Sequence, residues 1–143
     1  EKFLAYRQAI GMEALPLDSR AFPILMKRAR DGKLIALIAD RDLSSSGIDV
    51  EFFGGVARMP AGPAIIAIRT GIPLVTAFVS YTESGIHVDL REIVIPDSGD
   101  EESRIKAAVQ LCADNFAVGI KASPHDWHMM QRIWVDRDFV ERR

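Results

Sequence analysis

The sequence predicts an α/β fold with a mixed central sheet flanked by helices, and three observations carry that prediction. The run Leu34-Ile35-Ala36-Leu37-Ile38-Ala39 is short and apolar and is framed by Gly32-Lys33 and Asp40, the pattern of a strand buried on both faces. A second strand-like run, Pro73 to Tyr81, is followed by the alternating segment Ile86 to Arg91, with Ser84-Gly85 as the turn between them. Around these runs the apolar residues recur at three-and-four spacing, most clearly from Glu101 to Lys121. No repeat, linker or low-complexity tract interrupts the chain, so one domain over residues 1–143 is the simplest organisation.

Each element has a local reason. Glu1 to Ile10 reads as a helix carrying Arg7, stopped by Gly11. Glu13 to Leu17 reads as a short strand ended by Pro16 and Asp18. Asp18 or Ser19 then caps a helix from about Arg20 to Arg30, in which Phe22, Leu25, Met26 and Ala29 form one face and Lys27, Arg28 and Arg30 a solvated one. The central strand over Leu34 to Ala39 ends in Asp40-Arg41-Asp42, and the flexible Leu43-Ser44-Ser45-Ser46-Gly47 follows. Val50 to Phe53 alternates weakly before Gly54-Gly55, where the backbone can approach a ligand closely. Pro60 suits the first turn of a helix reaching Thr70, with Ala64, Ile65, Ala67 and Ile68 as its packing face and Gly71 as its stop. The two strands over 73–91 make an antiparallel hairpin that Ile93-Val94-Ile95 continues. In the long helix Ile105, Ala108, Cys112, Phe116 and Ile120 share a stripe, and Glu101-Glu102 sit at its positive end. Ser123-Pro124 opens a short helical segment from His125 to Trp134, whose Trp127, Met130 and Trp134 face the core. The charged tail from Asp136 to Arg143 is read as exposed.

Composition narrows the function. With 143 residues, 48% of them hydrophobic, there is material for a sizeable core, and a formal net charge of -2 gives no global attraction to nucleic acid. No apolar run reaches the roughly 18 to 20 residues that span a bilayer, and no signal peptide is visible at the start. The sequence starts at Glu1 without a methionine and reads as starting part way through a helix, so a preceding part holding some of the function is expected. The single cysteine, Cys112, excludes an internal disulfide and any multi-cysteine metal cluster, and its place on an apolar stripe makes it a core residue.

Several chemistries lack their residues. No G-x-S-x-G, P-loop or dinucleotide fingerprint occurs, and His125 and His128 have no third ligand nearby, so no metal is expected. His87-Val88-Asp89-Leu90-Arg91-Glu92 has the literal form H-x-x-x-x-E, but residues five apart on a strand lie on opposite faces, about 17 Å from end to end, so Glu92 cannot orient His87. What remains is the acid at the end of the apolar run. Ligands collect outside the carboxyl ends of strands in open α/β sheets, which makes Asp40 a site candidate and, as an equal alternative, a turn residue.

Six phrases in order carry a resemblance: Tyr6-Arg7-Gln8-Ala9-Ile10-Gly11, Ile38-Ala39-Asp40-Arg41-Asp42-Leu43, Phe52-Phe53-Gly54, Met59-Pro60-Ala61-Gly62-Pro63, Thr70-Gly71-Ile72-Pro73-Leu74-Val75 and Pro124-His125-Asp126-Trp127-His128. Together they resemble the bacterial lipid A biosynthesis acyltransferase family, and within it the branch of actinobacterial phosphatidylinositol mannoside acyltransferases. The resemblance implies the C-terminal half of a glycerolipid-acyltransferase-like enzyme. Such an enzyme transfers a long acyl chain from acyl-CoA, a substrate and not a cofactor, to a mannose hydroxyl of a glycolipid. It also implies peripheral contact with the membrane at the cytoplasmic face of the inner membrane. The histidine base of that branch lies in an H-x-x-x-x-D/E motif upstream of Glu1, so this chain alone is expected to be inactive. The branch pairs the histidine with the carboxylate of an Ala-Glu-Arg-Asp phrase, and Asp40 is the matching residue, one methylene shorter, with Asp42 as a neighbour that could assist. Arg7 matches an active-site arginine of the branch, and Arg41 and Arg58 are candidates for phosphate contacts to lipid or CoA. A lipid A type acceptor and a non-catalytic lipid-binding module are the alternatives, separated by whether the upstream motif exists.

Overall fold

The structure, a computed structural model, describes residues 2–15 and 20–136. The chain divides into two compact units, Glu1–Ile35 and Ala36–Arg143. In the first, α1 covers Lys2–Ala9 and α2 covers Ala21–Arg30. Both helices end in the same way. Gly11 and Met12 donate their N–H groups to the carbonyls of Gln8 and Arg7, and Gly32 and Lys33 donate to Ala29 and Arg28, so the last orphan carbonyls of each helix are satisfied. Glu13, Ala14 and Leu15 form no strand, unlike the sequence expectation, because among the described residues no strand offers them a ladder; Glu13 instead accepts a two-pronged hydrogen bond from Arg28 at 2.7 and 2.9 Å. Pro16 to Ser19, including the expected Asp18 or Ser19 cap, and the tail beyond Asp136 lie outside the described residues.

The second unit contains β1 (Ile48–Phe52), β2 (Gly55–Met59), α3 (Gly62–Thr70), β3 (Leu74–Thr82), β4 (Gly85–Ile93), α4 (Glu101–Ala122) and a short 3-10 turn over Pro124–Asp126. Its strands make two antiparallel pairs, β1 with β2 and β3 with β4. The α/β class therefore holds, with the β part built as hairpins. The central-strand reading of Leu34–Ala39 does not hold: the segment forms no strand, and Leu34 is 95% and Ile38 79% exposed. A doubly buried strand needs neighbours on both edges, and among the described residues no strand pairs with it.

The first hairpin was not read from sequence, since its turn breaks a rule. Phe52 pairs with Gly55, leaving Phe53 and Gly54 as a two-residue loop with φ of 48° and 74°. Positive φ at both positions is the hairpin geometry that favours Asn-Gly, and here a bulky Phe occupies the first place. The second hairpin forms as expected, but its turn is Glu83-Ser84 and not Ser84-Gly85, since Thr82 pairs with Gly85; Leu74 lies opposite Ile93.

The core gathers under α4. Val50, Phe52, Ala57 and Met59 point inward from the first hairpin and meet Ile105, Ala108, Val109 and Ala113 of the helix. Asp100 caps α4 by accepting the Ser103 N–H at 2.8 Å, and hydrogen bonding to the Ser103 side chain, with that backbone bond beside it, holds its carboxyl below the usual carboxylate range. At the other end α4 crosses β3 so closely that a Cβ on Gly119 would come within 2.5 Å of the Phe78 ring. The open face of the second hairpin carries exposed Val75, Val79, Tyr81, Ile86, Val88 and Leu90. α3 begins two residues later than expected, at Gly62, and has Pro63 in its first turn.

Beyond α4 the expected helix from His125 to Trp134 is absent. The 3-10 turn stops at Asp126, and the chain then runs irregularly to an antiparallel bridge between Trp134 and Ala57. Neighbouring side chains here take opposite sides, as in extended chain: Met129 packs on the core, whereas Met130, expected to face it, is 92% exposed.

Burial pushes the Cys112 thiol from 9.0 up to about 11. The linkage has a definite sign. An unfolded thiol ionises near 9.0 while the folded one retains its proton, so between those values the unfolded chain binds fewer protons and stability falls as pH rises from about 9 to about 11. Iodoacetamide at pH 8 is expected to leave Cys112 largely unmodified in native protein and to label it rapidly in urea, read by mass spectrometry. Equal rates in both states would remove Cys112 from the core.

Candidate active site

The acidic segment after Ala39 is fastened to β2. The Asp42 N–H donates to the Arg58 carbonyl at 2.7 Å, and Asp42 Oδ1 accepts the Ser44 N–H at 2.7 Å, an Asx turn that starts the serine loop. Gly47 closes the loop tightly, since a Cβ there would lie 2.6 Å from Arg58 Cγ and 2.9 Å from Asp42. Asp42 is thus occupied in shaping the loop. Arg58 is also engaged, donating to both carboxylate oxygens of Asp49 at 2.6 and 3.0 Å, which lowers the Asp49 pKa and raises its own.

Asp40 is held differently. The indole N–H of Trp127, 87 residues away, donates to Asp40 Oδ2 at 3.1 Å. Trp127 follows the 3-10 turn, and that turn is tied to β3 by the Tyr81 N–H, which donates to Asp126 Oδ2 at 3.0 Å. Its ring meets Phe52 edge to face, with centroids 5.9 Å apart. The second oxygen, Asp40 Oδ1, is buried and receives no hydrogen bond from the described residues. Arg41 Nη1 stands 4.0 Å from it, near enough for Coulomb attraction and too far to donate, and lies 3.9 Å from Met129 Sδ. Beside this cluster Trp127, Met129, Ile133 and Trp134 line an open cavity of about 230 Å³.

The structure therefore brings Asp40, Arg41, Asp42 and Arg58 into one corner of the second unit, and it separates their roles. Arg7 lies half-buried on α1 in the first unit. Trp127 was read from sequence as a core residue alone. Its contact with Asp40 joins segments far apart in the chain, so no local period could have announced it. His87 and Glu92 lie on β4 opposite Ser80 and Val75, at odd spacing and hence on opposite faces, and they form no dyad.

A carboxylate steadied on one oxygen and lacking a donor on the other can accept an imidazole N–H, fixing the tautomer and stabilising the charge of a histidine base. A carboxylate paired with histidine in that way is the arrangement that general-base transferases and hydrolases use. Comparison with known proteins makes the class specific: residues 1–136 match the profile of bacterial lipid A biosynthesis acyltransferase, and the chain belongs to that family. It is similar to the phosphatidylinositol mannoside acyltransferase of Mycolicibacterium smegmatis, with 39% identity over 99% of this chain and 46% of that protein. The phosphatidylinositol mannoside acyltransferase of Mycobacterium tuberculosis H37Rv is 37% identical over 100% of this chain and 45% of its own length. The chain thus spans just under half the length of the curated relatives it matches.

Proposed function

We propose that this chain is the C-terminal half of an acyltransferase of glycolipid biosynthesis, which moves a long acyl group from acyl-CoA to a mannose hydroxyl of a phosphatidylinositol mannoside. The observation that carries this reading is the similarity along the whole chain to two mycobacterial enzymes of that name at 37% and 39% identity. The histidine base comes from the part of the polypeptide preceding Glu1. It takes the proton of the acceptor hydroxyl as the oxygen attacks the thioester carbonyl, and it passes that proton on as CoA thiol leaves. Asp40 orients and charges it. Arg41, whose guanidinium makes no close carboxylate fork, is the better placed of the two loop arginines for a lipid or CoA phosphate, because Arg58 is held by Asp49. Arg7, carried on α1, is a further substrate-binding arginine in this reading. No described helix is long and apolar enough to cross a membrane, and the enzyme meets its lipid acceptor as a peripheral protein at the cytoplasmic face of the inner membrane.

The full-length protein is expected to transfer label from radiolabelled palmitoyl-CoA to phosphatidylinositol mannosides, and to leave a lipid A precursor unlabelled. Label on the lipid A precursor alone would move the enzyme to the other branch. Label on neither, from folded protein, would favour a lipid-binding module.

A further inference from the structure

An indole N–H can only donate, so Trp127 can engage Asp40 only through a lone pair of the carboxylate. It does so at Oδ2, and it fixes the rotation of the carboxyl group about its last bond. Turning the carboxylate plane would break that bond, and among the described residues Oδ1 is the oxygen left without a donor. A buried carboxylate oxygen without a hydrogen bond is costly, and natural proteins keep such groups chiefly where a partner or a reaction uses them. The indole is itself immobilised. Phe52 supports its face, the turn before it is tied to β3 through Asp126, and Trp134 donates to the Phe52 carbonyl at 3.2 Å.

We propose that Trp127 is a positioning residue for the acyl transfer: its indole N–H occupies Asp40 Oδ2 and thereby presents Oδ1 to the imidazole N–H of the base. This rests on the reading of Asp40 as the orienting carboxylate. Trp127 touches neither substrate nor reacting atom. It acts through Asp40, so its effect on the rate exists only while Asp40 is a carboxylate.

The test is a double-mutant cycle in the full-length enzyme with Trp127→Phe and Asp40→Asn. Phe retains a ring against Phe52 and removes the donor. The expected result is that Trp127→Phe lowers kcat roughly ten- to a hundredfold with KM for palmitoyl-CoA little changed, the size of losing one hydrogen bond to a charged group. In the Asp40→Asn background the same substitution should add almost nothing. Thermal unfolding and the KM of each variant separate misfolding from misorientation, since a purely structural tryptophan would lower activity by the same factor in both backgrounds. Equal losses in both backgrounds, or full kcat in Trp127→Phe, would overturn the proposal while leaving Asp40 in place. Full activity in Asp40→Asn would overturn the assignment of Asp40 and the positioning role together. A nitrogen-15 spectrum gives a reading without turnover: the Trp127 indole N–H resonance should lie downfield and shift in Asp40→Asn.

Discussion

Replacing Asp40 with Asn in the full-length protein should lower kcat for acyl transfer by about a hundredfold or more while leaving the unfolding transition nearly in place. Asn has the size and shape of Asp. Its carbonyl oxygen can still accept the Trp127 N–H, so the indole, the turn behind it and the packing on Phe52 have no reason to move. What changes is the other terminus. An NH₂ group replaces Oδ1, a donor where the imidazole N–H requires an acceptor, and the negative charge that would stabilise an imidazolium is gone. Arg41, 4.0 Å from Oδ1, also loses its nearest negative neighbour, which adds a modest effect on substrate KM if that guanidinium meets a phosphate. A kcat within a few fold of the parent would show that the proton-taking base is oriented by another group.

The parts of this architecture that local periodicity governs could be read before the structure. In α4 a stripe repeating every three or four residues faces the core, and the strand-like runs of β3 and β4 announce an antiparallel hairpin, though its turn falls at Glu83-Ser84, one residue earlier than the Ser84-Gly85 signal suggests. Where the outcome depends on partners distant in the chain, the reading failed. Leu34–Ala39 has the composition of a buried strand, yet composition supplies neither ladder nor cover, and Leu34 and Ile38 stand in solvent. Spacing also misled over 125–134. Trp127, Met130 and Trp134 fit a helix, but Trp134 bridges to Ala57 and Val135 donates to Val56, so the segment follows the edge of β2. The first hairpin was hidden by Phe53, a residue that rarely takes positive φ. Its edge-to-face contact with Phe52 and the Lys121 ammonium over its ring offer compensation for that strain. Asp40 stands out in the sequence because it ends an apolar run and matches a family phrase. Trp127 was seen and given only half its role, because a tryptophan's ring announces burial and nothing in sequence says what its N–H will meet. Arg58 matched a chemical expectation by type, and Asp49, directly opposite it in the β1–β2 register, engages it instead.

The stability of the second unit and the aim of its carboxylate meet in one side chain, Phe52. It is among the largest fully buried residues, 2% exposed, and its ring lies between the core under α4 and the indole of Trp127. Phe52→Ala should cost on the order of 3–5 kcal/mol, the lost transfer energy plus the cavity left when β1 and α4 cannot close over it. Against a typical domain stability of about 5–15 kcal/mol that is enough to bring the midpoint of a urea titration, followed by circular dichroism, sharply down. A loss under about 1 kcal/mol would mean the site collapses freely and the packing against α4 is not what holds the hairpin. Phe52→Leu separates the two functions. It keeps most of the buried volume and so most of the stability, but it removes the aromatic edge-to-face contact that steadies the indole. If the ring acts on chemistry only through folding, the Leu variant keeps its kcat at temperatures well below its unfolding. If the ring also holds Trp127 in line with Asp40 Oδ2, kcat falls several-fold in folded protein, and Trp127→Phe in the same background adds less than it does alone. The geometry favours the second outcome. Trp127 packs against the core as well, but its edge-to-face contact with Phe52 and its hydrogen bond to Asp40 are what orient the indole, and losing the ring contact loosens that orientation.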